Sequence, residues 1–132
     1  MKKRKTLKQF LVPRLRRLSK WWYGRTDAKN AAKVRVQEGF YKNGKPKFRN
    51  KFYCAECDKL HGGFHLGPLY KEEDVQMDHI YPILNLDGFI DWNTTIDRMF
   101  PEQEGWQCLC LDCHQIKTLA EGDERRERKK KG

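Results

Sequence analysis

The sequence predicts a small α+β domain stapled by a metal ion, on three observations. Only 38% of the 132 residues are hydrophobic, which is thin for a large core, so the chain needs stabilisation beyond burial. Two Cys-x-x-Cys pairs, Cys54/Cys57 and Cys110/Cys113, can supply it, because four thiolates presented by two tight turns suit one tetrahedral zinc. Around these pairs, stretches of alternating apolar residues are interleaved with stretches of helical periodicity.

The elements follow in order. Residues 1 to 25 hold ten lysines and arginines and no acid, a self-repelling start that a polyanion would quiet. Leu15, Leu18, Trp21 and Trp22 recur at helical spacing opposite Arg14, Arg16, Arg17 and Lys20. This predicts an amphipathic helix from Arg14 to Tyr23, its apolar face on the domain and its basic face toward phosphates. Gly24 is expected to break it, and the alanines and valines from Asp27 to Gln37 predict a second helix closed by Gly39. Phe40 to Lys42, then Asn43-Gly44, then Lys45 to Tyr53 predict a hairpin whose returning strand delivers Cys54.

Asp58 to Asp74 is rich in glycine and charge and predicts a loop with His61 and His65 in solvent. Val75 to Ile80 predicts a short strand ended by Pro82, which presents Asp78 and His79 near its end. Thr94 to Phe100 predicts a helix capped by Asn93 and stopped by Pro101, with Ile96 and Phe100 toward the core. From Leu111 the chain can be helical through Leu119, and Arg125 to Lys131 reads as a disordered basic tail. The expected organisation is a basic helical arm over residues 1–38, a zinc-stapled domain over 39–120 and a basic tail over 121–132.

Composition narrows the partners. Lysine and arginine number 28 against 18 acids, a net charge of +10 and a pI near 9.5, the electrostatic footprint of a protein that meets a polyphosphate. Nucleic acid is the leading expectation. No apolar run approaches the ~20 residues of a membrane span, so no membrane partner is expected. An odd count of five cysteines, four of them in Cys-x-x-Cys pairs, points to metal ligation in a reducing, cytoplasmic setting rather than to disulfides. The fifth, Cys108, reads as a small buried hydrophobe.

The cysteine pairs lie 52 residues apart, whereas an ordinary zinc ribbon spaces them by roughly 15–20. Inside that insert sits Asp78-His79, and directly after the second pair comes His114. By themselves Asp78 and His79 have a plain structural reading, a strand-end acceptor and a half-buried polar ring. Their coincidence with His114 and the cysteine frame favours chemistry: an imidazole that titrates near neutrality can take a proton from water, and a carboxylate with an imidazole can hold a divalent cation.

In their order, Cys54-x-x-Cys57, Val75-Gln76-Met77-Asp78-His79-Ile80-Tyr81-Pro82 and the stretch from Trp106 through Cys110-x-x-Cys113-His114 to Lys117-Thr118 resemble the HNH endonucleases of the ββα-metal fold. The resemblance runs from Phe40 to Thr118 and is nearest the small members encoded by phages. It implies that His79 is the general base, that Asp78 and His114 ligate a catalytic divalent ion such as magnesium, and that the four cysteines hold a structural zinc. Lys117 has two open readings, a phosphate contact and, with at least equal weight, a solvated helix lysine. It also implies homing, restriction or genome packaging as biological settings, the last with phage packaging proteins as partners.

The chain departs from the family at one place. Gly105 stands nine residues before His114, where the family usually has the asparagine that fixes the loop carrying the base, with Asn93 or Asn85 as possible substitutes in space. The departure leaves two binding readings beside the nuclease: a zinc-containing DNA-binding module that has lost its chemistry, and an RNA-binding or assembly protein. Oligomeric state and sequence specificity are not legible, because phosphate contacts carry no base information.

Overall fold

Thr6 starts the first helix. Its hydroxyl accepts from the Gln9 N–H while the Gln9 side chain accepts from the Thr6 N–H, a reciprocal cap. In the computed structural model, which describes residues 3–83 and 88–131, this helix is α1 (Leu7–Leu18). It begins a full two turns before the expected Arg14. It also ends earlier: the chain passes through a 3-10 turn, Ser19–Trp21, and Trp22 is extended. That break shifts the apolar register. Leu18 and Trp21 are 58% and 82% exposed, and the buried contacts of α1 come from Val12, with Leu15 partly covered.

Trp22 anchors the segment by donating its indole N–H to the Pro101 carbonyl at 2.7 Å. Gly24 does not break a helix; it lies in the first turn of α2 (Tyr23–Ala32), where a Cβ would stand 2.2 Å from that same carbonyl oxygen. The expected second helix is also too long. Val34 and Val36 belong instead to β1 (Lys33–Phe40), as their β-branched side chains favour, and Gly39 sits at a register shift with φ +73° rather than at a helix end. β1 pairs antiparallel with β2 (Pro46–Tyr53), and the loop between them spans Tyr41 to Lys45, longer than the expected two residues.

Cys54 caps α3 (Ala55–Leu60), after which the chain was expected to be loop through Asp74. Most of it is, but β3 (Leu69–Lys71) adds a third strand beside Lys51–Tyr53. Asp58, only 6% exposed, holds the intervening loop by accepting from the His65 and Gly67 N–H groups at 3.0 and 2.9 Å. β4 (Val75–His79) falls where alternation placed it, and it pairs antiparallel with β5 (Trp106–Cys110), from Val75 opposite Cys110 to His79 opposite Trp106.

Between them lies α4 (Trp92–Met99). Its cap is Asp91, whose carboxylate accepts from the Thr94 N–H, not Asn93. It starts two residues before the expected Thr94, and its core face is Thr95 and Met99, with Met99 packed on Val12 and Ile83, Phe100 partly buried beside them and Ile96 37% exposed. Finally α5 (Leu111–Lys131) continues through the expected disordered tail. Pairs one turn apart, Lys117 with Glu121 and Arg128 with Glu124, together with Arg126 and Asp123, offset the repulsion among its cations.

The fold is therefore a small α+β domain with two small sheets and five helices among the described residues. Ala28, Phe52, Met77, Trp106 and Cys108 form a core that joins α2 to both sheets, so the basic N-terminal segment is packed into the domain from Trp22 onward. Val12, Ile83 and Met99 tie α1 to α4. Among the described residues, no helix is long and apolar enough to cross a membrane.

Candidate functional site

The two cysteine knuckles come together at one end of the β4–β5 ladder. Cys54 ends the approach to α3 and Cys110 ends β5, so each knuckle is a strand end running into a helix. In each, the first sulfur accepts from the backbone N–H of the second cysteine at 3.5 Å, Cys57 onto Cys54 and Cys113 onto Cys110. All four sulfurs lie within 4.8 Å of one another, and Cys57 stands 3.9 and 3.8 Å from Cys110 and Cys113. A tetrahedron with zinc–sulfur bonds of about 2.3 Å has edges of about 3.8 Å, so the cluster can hold such an ion.

Tyr70, from β3, places its hydroxyl 3.2 Å from the Cys57 sulfur, a partner that no sequence pattern announces. Burial pushes the Cys57 and Cys113 thiols up. At Cys110 burial is outweighed by hydrogen bonds from Cys113, and the thiol is lowered. Cys108, buried in the core and pushed up to about 12 by desolvation, stays outside the cluster as expected.

At the other end of the ladder, Asp78, His79, His114 and Lys117 line one cleft of about 700 Å³. β4 delivers the first two and the opening turns of α5 the others. The Asp78 Oδ1 lies 3.8 Å from the His114 Nε2, while its Oδ2 accepts from the Lys117 ammonium at 2.6 Å and from the Gln107 amide at 3.1 Å. Lys117 also donates to the His79 carbonyl at 2.7 Å and pairs with Glu121 at 3.0 Å. It is therefore bound to the site's own acids rather than extended toward a phosphate. The Lys117–Glu121 spacing was legible in the sequence; the Gln107 contact depends on its pairing opposite Asp78 in the ladder.

His79 is held on two sides. Its ring packs on Trp106 with centroids 3.9 Å apart, and its Nε2 is 2.9 Å from the Met99 carbonyl. A carbonyl only accepts, so Nε2 carries the proton and Nδ1 keeps a lone pair. Burial lowers the His79 pKa, against the opposing pull of Met99 and Asp78, which favours the neutral ring.

Gly105 has a physical reason. A Cβ there would stand 2.3 Å from the Pro101 Cβ, so no side chain fits, asparagine included. Its carbonyl accepts from the Ile80 N–H at 2.9 Å, which fastens the chain immediately after His79. Pro101 itself is held by two indoles, Trp22 and Trp106, which both donate to its carbonyl. Asn93 is exposed on α4 and does not line the cleft; Asn85 lies outside the described residues.

Of the basic residues singled out in the N-terminal helix, Arg16 and Lys20 line the cleft, joined by Arg25. Arg14 instead covers the Phe10 ring and donates to the Phe10 carbonyl, and Arg17 is outside the cleft beside Val12 and Pro13. The opposite wall is α5, with Arg126 and Lys129. His61 is exposed at the end of α3. His65 stacks between Tyr53 and Phe64, away from the cleft. Compared with family models, curated proteins and solved structures, the chain matches none of them.

Proposed function

We propose that the chain is a metal-dependent DNA endonuclease of the HNH type, hydrolysing phosphodiester bonds with His79 as general base. The observation that carries this reading is the state of the His79 ring, with one nitrogen committed to the Met99 carbonyl and the other free, beside Asp78 and His114 in a cleft with cations on both walls. The order of elements supports it too, since an antiparallel strand pair running directly into a helix is the ββα arrangement.

One carboxylate oxygen and one imidazole nitrogen 3.8 Å apart suit a hard or borderline divalent cation shared by Asp78 and His114. Such an ion, when bound, would polarise the scissile phosphate and stabilise the departing oxygen. The His79 Nδ1 accepts the proton of the attacking water as its oxygen forms a bond to phosphorus, and the bond to the 3′ oxygen breaks, that oxygen taking a proton from solvent, which leaves a 5′-phosphate and a 3′-hydroxyl. Trp106 and the Met99 carbonyl keep the ring from rotating away. Arg16 and Lys20 hold the phosphate backbone against the cleft. A zinc held by Cys54, Cys57, Cys110 and Cys113 would have no part in the chemistry; it would fix the start of α5 and hence the position of His114.

The test is nicking of supercoiled plasmid by zinc-loaded protein with magnesium, manganese or nickel added in turn. His79→Ala is expected to lower the rate by about 10²–10⁴-fold, the usual worth of a general base, with DNA affinity and zinc content kept. A second reading, a DNA-binding module without chemistry, draws on the Lys117 ammonium already seated on Asp78. DNA binding with no cleavage under any ion would select it.

A further inference from the structure

The cleft accounts for the basic faces of α1 and α5 but not for a further strongly cationic segment of the fold. Between Lys33 and Lys51, β1, β2 and their loop carry seven lysines and arginines against one acid, Glu38. Glu38 is already committed, to Lys51 at 2.7 Å and Arg49 at 3.3 Å. Every residue from Gly39 to Asn50 is exposed. β3 reaches only Lys51–Tyr53, so beyond that point the two strands pair with nothing but each other.

Such a ribbon is costly to leave bare. Two strands without a covered face are marginal in water, and this one also exposes Phe40, Tyr41 and Phe48 at 68%, 54% and 41%. Arg35 lies over Phe48 and Lys47 near Tyr41, so cations and aromatic rings are interleaved along it. Lys42, Lys45 and Lys47 crowd its tip.

We propose that the β1–β2 hairpin is a second nucleic-acid contact, a basic ribbon that enters a groove of duplex DNA and grips the phosphates on its sides. A two-stranded ribbon fits the major groove, whose width is about 12 Å, and its charge complements the phosphates lining that groove. The inference rests on the nuclease reading for the identity of the polyanion and adds the element that holds the duplex outside the cleft. Neutralised phosphates release counterions, so the ribbon has a measurable signature in salt dependence.

The experiment is fluorescence anisotropy of a short labelled duplex titrated with zinc-loaded full-length protein across a salt series, without added magnesium. The triple variant Lys42→Ser/Lys45→Ser/Lys47→Ser changes only exposed tip residues; zinc content and circular dichroism check its fold. Loss of up to three phosphate contacts is expected to flatten the log–log salt slope by about 2–3 and to weaken binding at least about tenfold at moderate salt. Arg16→Ser/Lys20→Ser provides the matching loss from the cleft wall.

Unchanged affinity and slope in the triple variant, with wild-type protein binding the duplex, would overturn the ribbon and leave the nuclease reading standing. Wild-type protein that binds no duplex would overturn both. If the triple variant kept its duplex affinity but lost binding to phosphatidylglycerol vesicles, the hairpin would be a membrane contact and the inference would be wrong.

Discussion

The two ends of the β4–β5 ladder differ in how completely their donors are used. At the cysteine end, four sulfurs face one another, with Cys54 and Cys110 buried and Tyr70 closing one side. At the other end, the Asp78 and His114 side chains keep 16% and 35% of their surface exposed, with a cleft in front of them. A closed set of four ligands suits an ion that stays, whereas an open pair leaves positions for water and substrate. Five residues of strand separate a site suited to holding the fold from a site suited to chemistry, and the same strand pair fixes both.

If that contrast holds, emptying the closed site has the largest effect on the molecule. Structural zinc contributes roughly 10–16 kcal/mol in finger peptides, comparable with the whole stability of a domain at about 5–15 kcal/mol. Cys113→Ser, or exhaustive chelation, is therefore expected to abolish cooperative melting and to release α5, separating His114 from Asp78. Metal analysis and thermal denaturation followed by near-ultraviolet circular dichroism check it. A chelated protein that melts as before would mean that the apolar core alone carries the fold.

Much of this arrangement was legible in the sequence, and the failures share a cause. The cysteine knuckles, β4 and the position of Asp78 and His79 at its end are local patterns, and they stand as expected. What was missed depended on partners distant in sequence or on competition between caps. Periodicity alone could not reveal that Trp22 is pulled out of the first helix by the Pro101 carbonyl, 79 residues away. Asp91 displaced Asn93 as a cap, two residues earlier, because either residue type can accept the N–H, and the packing of Met99 on the sequence-distant Val12 and on Ile83 put Thr95 rather than Ile96 on the buried side. The tail reads as disordered when its cations are counted, yet forms helix because acids stand three and four residues before them. The partner of the His79 ring is a backbone carbonyl, which no side-chain motif can announce.

Gly105 tests the comparison at the open end. If its role is space, then placing there the asparagine that the HNH resemblance expects, by Gly105→Asn, damages the protein instead of improving it, since the first carbon of any side chain meets the Pro101 ring. Overpacking of this kind costs about 1–3 kcal/mol, and Gly105→Ala is expected to cost a similar amount because both share the offending Cβ. Denaturant melts of the two variants check this. Faster cleavage by Gly105→Asn in the assay of the proposed nuclease activity, at unchanged stability, would show that an amide fits at this place and that space is not the reason for the glycine.

The smallest effect, and the one that most sharpens the contrast, is at Lys117. Its ammonium sits on Asp78 Oδ2, the His79 carbonyl and Glu121, so the open site already contains a cation of its own. Lys117→Met keeps the apolar stem and removes the charge, leaving Asp78 and Glu121 less neutralised. One unit charge at about 4 Å in a solvent-screened site is worth about 1 kcal/mol against a monovalent charge and about twice that against a divalent one. The manganese concentration giving half-maximal binding, measured by electron paramagnetic resonance, is therefore expected to fall about thirtyfold. Stability should drop by about 1 kcal/mol as β4 and α5 lose a shared charged donor. A lysine that only braced the two elements would lower the melting temperature without moving the metal titration, so the two readouts separate its bracing from its hold on the charge of Asp78.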